Sequence, residues 1–196
     1  MRPFLSIIIP AYNEAKRLPL TLIDIDRYLS AAGFSYEILV VSDGSKDETV
    51  DIVNRFSHIV KNLGMIDNKE NHGKGWVVRE GMLKANGNYR LFTDADNSTA
   101  IGHFDKMLPY FKEGYGVVIG SRAVRGARLE PPQPFYKQIL GKIGNLIIQI
   151  LAVPKIWDTQ CGFKCFTEEA AMKIFSAAKI DRWGFDVEAL ALAKVF

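Results

Sequence analysis

The chain has 196 residues, a net charge of +3 and 48% hydrophobic residues, which fits one globular domain with a full core. A charge this small does not predict a nucleic-acid partner. Two cysteines, Cys161 and Cys165, are too few for a disulfide framework and lack a zinc-type cluster, so they predict small buried side chains in a reducing, cytoplasmic compartment.

No segment is long and apolar enough to predict membrane insertion. The N-terminal apolar run has about five residues, fewer than the roughly 7–15 of a signal peptide. The longest apolar stretch, residues 143–153, carries Asn145 and Gln149 and is shorter than the roughly 20 residues of a membrane span. This leaves peripheral contact with a membrane surface open.

Strand and helix patterns alternate along the first part of the chain. Short apolar runs predict strands at residues 5–10, 36–41, 64–66, 89–93 and 116–120. Helical patterns run from Pro19 to a stop at Gly33, from a capping box at Ser45 and Glu48 to about Arg55, over residues 74–85 and around residues 104–111. Repeated strand–helix–strand units predict one α/β domain with a Rossmann-like, mostly parallel sheet flanked by helices.

The alternation weakens after residue 121. Residues 122–134 contain three arginines and three prolines and predict a loop. A helix is expected over residues 138–153, a short strand within 158–167, and helices at about 168–178 and 185–196. The last pattern has no glycine stop before Phe196, so we expect the natural protein to continue.

Polar side chains are concentrated where the predicted strands end. In chain order they are Asn13, Glu14, Asp43, Asp94, Asp96 and Arg122. Ligands of open α/β sheets bind outside the carboxyl ends of the strands. We therefore expect these side chains to share one binding site.

Two familiar nucleotide motifs are absent from this edge. The residues after the first strand contain no G-x-G-x-x-G, and "HGKG" at residues 72–75 has Asn68 where a phosphate loop needs its first glycine. A hydride-transfer enzyme and a P-loop ATPase are both disfavoured.

Asp94 and Asp96 follow a buried strand and suggest a site for Mg2+ or Mn2+. Such cations prefer carboxylate oxygens and keep positions open for phosphate oxygens. The alternative is that the two acids cap the helix that follows, since acids are common at helix starts. The other acids at neighbouring strand ends favour the metal site.

Three further side chains have both a functional and a structural interpretation. Asp43 could accept a hydrogen bond from a uracil N–H, or it could be a turn residue before Gly44. Lys74 could reach a diphosphate, or it could be a solvated surface lysine. Asp158 could be a catalytic or orienting carboxylate, or a turn residue.

The arginine-rich segment after the fifth strand is the candidate for binding a phosphate-bearing acceptor. Arg122, Arg125 and Arg128 carry guanidinium groups that match phosphate geometry. The alternative, a solvated basic loop, stays open for Arg125 and Arg128.

Seven segments together resemble the family 2 glycosyltransferases of the GT-A fold. They are "IIIPAYNEAKRLP", "YEILVVSDGSKDET", "NHGKG", "DADNS", "GSR", "DTQCGFKCFT" and "RWGFDVEAL". The last two resemble dolichyl-phosphate β-glucosyltransferases and related polyprenyl-phosphate enzymes. The resemblance covers nearly the whole chain, with a nucleotide-sugar part at residues 1–122 and an acceptor part at 123–196.

The resemblance implies roles for individual positions. Those expected at the nucleotide sugar are Pro10, Tyr12, Glu14, Asp43, Lys74 and Asp94. Asp96, with Asp94 as partner, would bind the metal, and Arg122 would meet the acceptor phosphate. The segment around Gln160, Cys161 and Gly162 would shape the sugar and acceptor site beside Asp158. Trp183, Asp186 and Glu188 match the last motif, which implies no separate role for each.

The chain departs from the family pattern at several points. Ser42 replaces the first of two usual acids, which weakens the assignment of uracil to Asp43, and His72 replaces an expected arginine near the diphosphate. The membrane anchor of the eukaryotic relatives is missing from this sequence.

The resemblance implies an inverting transfer of a hexose, with glucose expected, from a UDP-sugar to a polyprenyl phosphate. The apolar segment at 138–153, with the arginine loop before it, is the candidate for docking on the cytoplasmic face of a membrane; a core helix is the alternative. Competing hypotheses are a transferase acting on a soluble hydroxyl or using GDP-mannose, and a non-catalytic nucleotide-sugar binder. A nucleotidyltransferase is disfavoured because "PAYNEAKR" is not glycine-rich.

Overall fold

The computed structural model describes residues 2–121, 149, 152–154 and 156–196. Its strands are β1 (Leu5–Ala11), β2 (Tyr36–Asp43), β3 (Leu63–Asn68), β4 (Tyr89–Thr93), β5 (Val117–Ile119) and β6 (Phe163–Thr167). Its helices are α1 (Leu18–Ala31), α2 (Thr49–Phe56), α3 (Lys74–Lys84), α4 (Leu108–Lys112), α5 (Glu168–Ala177) and α6 (Phe185–Val195), with a 3-10 helix at Ile101–Lys106 before α4.

The six strands form one sheet in the order β3-β2-β1-β4-β6-β5. β1 pairs in parallel with β2 and β4, and β2 pairs in parallel with β3. β6 is antiparallel to both of its neighbours, β4 and β5. The predicted mostly parallel α/β sheet is confirmed. The predicted division at residue 122 stays a prediction, but β6 from the later part pairs with β4 from the earlier part in the same sheet.

Side-chain alternation in the central strand places hydrophobic clusters on both faces of the sheet. All seven residues of β1 are buried. Ile7 and Ile9 belong to the cluster that includes residues of α1, whereas Ile8 belongs to the cluster that includes residues of α3 and α5. Successive strand side chains point to opposite faces, so this apolar run supplies both clusters. The carboxyl end of β1 is thereby held firmly beside those of β2 and β4.

The predicted capping box at Ser45 is wrong. α2 begins at Thr49, and its N-cap residue Glu48 forms no side-chain cap hydrogen bond. The Ser45 hydroxyl instead accepts a hydrogen bond from the Asn13 N–H at 3.2 Å. The carboxylate of Asp47 accepts from the Thr49 N–H at 3.0 Å. A contact distant in the sequence has therefore replaced the local cap.

The other element predictions are confirmed with changed bounds. The helical pattern around residues 104–111 divides into the 3-10 helix and α4, with Pro109 in the first turn of α4. Gly33 follows α1 with a φ of 70°, which agrees with its predicted role as a stop. Cys161 and Cys165 are both buried free thiols, as predicted, and burial raises the pKa of Cys165.

Candidate functional site

A cavity of about 450 Å3 lies at the carboxyl ends of β1, β2 and β4. We call it the first cavity. Its lining residues are Pro10, Ala11, Tyr12, Glu14, Arg17, Asp43, Asn71, Gly73, Lys74, Val77, Asp94, Ala95, Asp96, Arg182 and Trp183. Every residue that the sequence assigned to the nucleotide sugar or the metal is among them. The strand-end prediction is therefore confirmed in its geometry, while the role of each residue stays a prediction.

Asp43, at the end of β2, fixes the loop that leads into α3. Its side chain is buried, and one carboxylate oxygen accepts from the His72 N–H at 2.7 Å. The other accepts from the Gly73 N–H at 3.0 Å and from the Asn71 amide at 2.9 Å. Three donors occupy most of the acceptor capacity of a carboxylate. Asp43 thus shapes the cavity wall whatever it offers to a base.

Lys74 and Asp94 form an ion pair at the centre of the first cavity. The Lys74 ammonium donates to an Asp94 carboxylate oxygen at 2.6 Å and lies 5.4 Å from the centroid of the Phe92 ring. The other Asp94 carboxylate oxygen lies where a side chain on Gly162 would start, since a Cβ there would be 1.9 Å away. Gly162 therefore makes room for Asp94.

Asp96 has one carboxylate oxygen held in a turn and one facing cations. The first accepts from the Ser98 N–H at 3.0 Å, and the second lies 3.9 Å from a guanidinium nitrogen of Arg17. Burial acts to raise the pKa of Asp96, but the hydrogen bonds from Ser98 and the nearby cations Arg17 and Lys74 outweigh it and lower that pKa. Asp96 is thus ionised at neutral pH.

The carboxylates fit a divalent cation that takes most of its ligands from a substrate and water. Within the described ranges, no group of three His, Cys, Asp or Glu side chains is arranged to hold a metal. A cation in the manner of Mg2+ needs only one or two carboxylates when phosphate oxygens complete its shell. Asp96 meets that need with the oxygen outside its turn. Asp94 is already paired with Lys74, so it would have to share its carboxylate.

The turn after β1 supplies Tyr12, Glu14 and a cation that the sequence analysis missed. Both carboxylate oxygens of Glu14 accept from the Arg17 guanidinium, at 2.7 and 2.5 Å. A cation three residues after an acid at a strand end was the available signal. The Glu14 N–H donates to the Thr49 hydroxyl at 2.8 Å, which docks this turn on α2.

Two differently built walls face each other across the first cavity. The strand wall consists of Asp43, Asp94 and Asp96, at the ends of β2 and β4. The loop wall consists of Arg182 and Trp183, from the segment between α5 and α6. Sequence reasoning placed Trp183 in a motif without a role and did not select Arg182.

A second cavity, of about 1030 Å3, is lined by residues of α4, β5, α5 and α6 and of the segment before β6. Asp158 is buried and lines this second cavity, not the first. Gln160 is exposed and lines neither of these two cavities. The structure therefore does not place Asp158 or Gln160 with the strand wall, and their predicted roles in catalysis and acceptor binding stay predictions.

Several acceptor-side predictions fall outside the described residues. They concern Arg122, Arg125 and Arg128, together with most of the expected helix at 138–153. Of the helices in the described ranges, none has both the length and the apolarity needed to cross a bilayer.

Solved structures share this fold at low sequence identity. Glucosyl-3-phosphoglycerate synthase from Mycobacterium tuberculosis, solved with Mn2+, UDP-glucose and phosphoglyceric acid, superposes with a TM-score of 0.72 at 15% identity, over 96% of this chain and 64% of that one. The mannosyltransferase PcManGT from Pyrobaculum calidifontis, solved with GDP-mannose and Mn2+, gives 0.61 at 21% identity, over 92% and 50%. Both neighbours are GT-A glycosyltransferases, so the chain has the GT-A fold.

Sequence comparison identifies relatives and a family. A dolichyl-phosphate beta-glucosyltransferase of Drosophila melanogaster is 41% identical over 97% of this chain and 62% of its own length. The Homo sapiens protein of that name is 34% identical over 98% and 63%. This chain thus spans less than two thirds of these curated relatives. The model of glycosyl transferase family 2 matches residues 6–175, and the chain belongs to that family.

Proposed function

We propose that this chain carries the donor site of an enzyme that transfers glucose from UDP-glucose to a polyprenyl phosphate. The observation that carries the proposal is the first cavity, where Asp43, Lys74, Asp94 and Asp96 converge at the strand ends of a family 2 chain. The names of the relatives support glucose as the sugar and dolichyl phosphate as the acceptor. The donor, the acceptor and the role of each residue are all part of the proposal.

The chain's own residues suit the binding of a nucleotide diphosphate. Tyr12 is 46% exposed at the cavity and offers an aromatic face for the base, next to the loop that Asp43 fixes. Lys74 and Asp96 would lie at the diphosphate, with Asp96 as the metal ligand and Asp94 towards the ribose. A divalent cation bound by Asp96 would offset the charge that develops on the leaving UDP.

The transfer itself needs no strong base from the protein. A phosphate oxygen of the acceptor attacks the anomeric carbon from the face opposite the leaving group. The bond from that carbon to the diphosphate breaks as the new bond forms, and UDP leaves with the electron pair. A phosphate is already ionised at neutral pH, unlike a hydroxyl acceptor. Binding the acceptor phosphate, which we assign to Arg122 with Arg125 and Arg128, therefore matters more than a general base.

The acceptor is a membrane lipid, so the protein has to meet a bilayer. We assign that contact to residues 138–153 and the arginine loop before them, at the cytoplasmic face. Co-sedimentation with vesicles containing anionic lipid would test it, and a chain that stays in the supernatant would contradict it.

The decisive assay offers a panel of UDP- and GDP-sugars with polyprenyl phosphate, with and without a chelator. We expect transfer from UDP-glucose that the chelator abolishes. Transfer only to soluble hydroxyl acceptors, or only from GDP-mannose, would favour a related transferase. Binding of UDP without turnover would favour a non-catalytic binder.

Asp96→Ala tests the metal assignment within the same assay. We expect its turnover to fall by about 100-fold or more, because a charge next to the leaving group is lost. Asp51→Ala, which removes an exposed carboxylate from α2, is the matched control and should stay near wild type. Near-normal turnover in Asp96→Ala would refute the assignment.

A further inference from the structure

The segment of residues 178–184, which we call the docking loop, is attached to the start of α3. Its residue Asp181 accepts a hydrogen bond through its backbone carbonyl from the Trp76 N–H at 2.9 Å. The Asp181 carboxylate accepts from the Arg79 guanidinium at 2.6 Å. A backbone and a side-chain contact from the same residue fix the position of this loop against α3.

The two glycines around Lys74 make this attachment possible. A Cβ on Gly73 would be 2.6 Å from the Asp181 carbonyl oxygen, and a Cβ on Gly75 would be 2.4 Å from the Ile180 carbonyl oxygen. Both distances are shorter than any real side chain tolerates. The G-K-G sequence at 73–75 therefore lets the docking loop approach the helix start, and it need not be explained as a phosphate loop.

Glu188 holds the docking loop from its other side. From the first turn of α6, its carboxylate accepts from the N–H groups of Lys179 and Ile180, at 2.9 and 2.8 Å. Asp186, also in that turn, pairs with the buried Lys164 of β6. These contacts give the acids of the last motif a shared role: they anchor the segment that carries Arg182 and Trp183.

The charges of the first cavity leave one cation available. Arg17 is paired with Glu14, and Lys74 is paired with Asp94. Arg182 lines the same cavity but forms no hydrogen bond or ion pair with any residue in the described part of the chain. An incoming anion can therefore bind Arg182 without breaking an existing ion pair, whereas Arg17 and Lys74 would each have to leave a carboxylate.

We propose that Arg182 binds phosphoryl oxygens of a substrate in the first cavity and that the docking loop positions it for this role. Guanidinium groups match phosphate geometry, and their charge-assisted hydrogen bonds are among the strong ones. The same chemistry is offered by the diphosphate of the donor and by the phosphate of the acceptor. The inference rests on the proposed function, because it takes the first cavity to be the nucleotide-sugar site.

The first arm of the test compares UDP with uridine, which lacks phosphate, by calorimetry on the whole chain. Arg182→Ala should weaken UDP binding about 10-fold and leave uridine binding unchanged. Arg182→Lys keeps the charge and should recover part of the loss. Lys179→Ala removes one charge from the same loop outside the first cavity and should match wild type. Unchanged uridine binding also shows that the cavity is intact in the variant.

The second arm measures the KM for polyprenyl phosphate at a saturating concentration of UDP-glucose. A rise in this KM in Arg182→Ala, with UDP binding unchanged, would assign the phosphoryl group to the acceptor. Wild-type values in both arms would overturn the inference. If the wild-type chain itself bound no UDP, the proposed function would fail, and that result is distinct from a failure confined to the Arg182 variants.

Discussion

The strand wall and the loop wall of the first cavity use their charges in opposite ways. In the strand wall, Asp43 and Asp94 are already satisfied by amide groups and by Lys74. In the loop wall, Arg182 has no partner among the described residues, and Trp183 is 87% exposed. A wall whose charges are paired internally is rigid before the ligand arrives, whereas unpaired side chains gain contacts only when it binds. The difference separates the part that shapes the site from the part that responds to its ligand.

The buried ion pair of Lys164 and Asp186 supports both walls, so breaking it should have the largest effect. The Lys164 ammonium is buried and lies 5.7 Å from the centroid of the Phe92 ring, whose other neighbour is Lys74. Burial raises the pKa of Asp186, and the Lys164 ammonium opposes that rise. Lys164→Met leaves the carboxylate without its cation.

We expect Lys164→Met to lower the free energy of unfolding by about 3–5 kcal/mol, measured by denaturant titration. Adding Asp186→Leu should recover most of the loss, since an apolar pair can replace a buried ion pair. Lys173→Met, which removes the cation of an exposed pair on α5, is the control and should cost about 1 kcal/mol or less. An equal cost for the two lysines would contradict the buried-pair interpretation.

Gly162→Ala tests whether the strand wall depends on the close approach of Asp94. The new methyl group would occupy the position of a carboxylate oxygen and push Asp94 away from Lys74. A displacement of about 1 Å at a reacting centre can cost about 100-fold in rate, so we expect a turnover loss of that order. Gly102→Ala, whose Cβ would be 3.8 Å from the nearest atom, should be near neutral. Comparable turnover in the two variants would remove Asp94 from the site.

Gly75→Ala tests the loop wall alone. The added methyl group would collide with the Ile180 carbonyl and displace the docking loop, while Asp43 and Asp94 stay in place. We expect UDP to bind about 10-fold more weakly, as in Arg182→Ala, because the guanidinium moves. Combining the two substitutions should add little further loss. Fully additive losses would show that Gly75 acts independently of Arg182.

Asp47 gives the smallest effect and a pH dependence. Burial acts to raise the pKa of this carboxylate, but hydrogen bonds from Thr49 and from the Ala15 N–H outweigh it and lower that pKa from 3.8. A lowered folded-state pKa means stability that is present above the unfolded value and is lost as the pH falls through the folded value. The group is exposed, so we expect about 0.5 kcal/mol or less.

The measurement is the difference in unfolding free energy between wild type and Asp47→Asn, from neutral pH to about pH 3. We expect the difference to shrink at the acidic end. Asp51→Asn, an exposed acid of the same helix region, should show no such trend. A difference that grew on acidification would reverse the sign assigned to Asp47.

Much of the strand wall could be predicted from the sequence, because strand ends and their polar residues are local features. Asp43, Asp94 and Asp96 each follow a buried run, and parallel strands bring such ends to one edge. Ser45 shows the limit of local reasoning. Its capping motif is correct in spacing, but the turn after β1 takes the hydroxyl that the helix would have used.

The loop wall could not be predicted, because its position depends on contacts across long sequence distances. Arg79 and Asp181 are far apart in the chain, as are Gly75 and Ile180, and no periodicity links them. The pairing state of a cation is equally a tertiary property. Arg17, Lys74 and Arg182 look alike in sequence, and only the structure distinguishes two paired cations from one without a partner in the described residues.

The sequence by itself determined the α/β class, the edge of the sheet that carries the site and the acids that line it. Alternating apolar periods and strand-end acids are written residue by residue, so neighbours along the chain suffice to predict them. Only the tertiary structure decided which charges are already paired, where Asp158 lies, and that the docking loop completes the first cavity. Each of these depends on distances between segments that the chain connects only by folding.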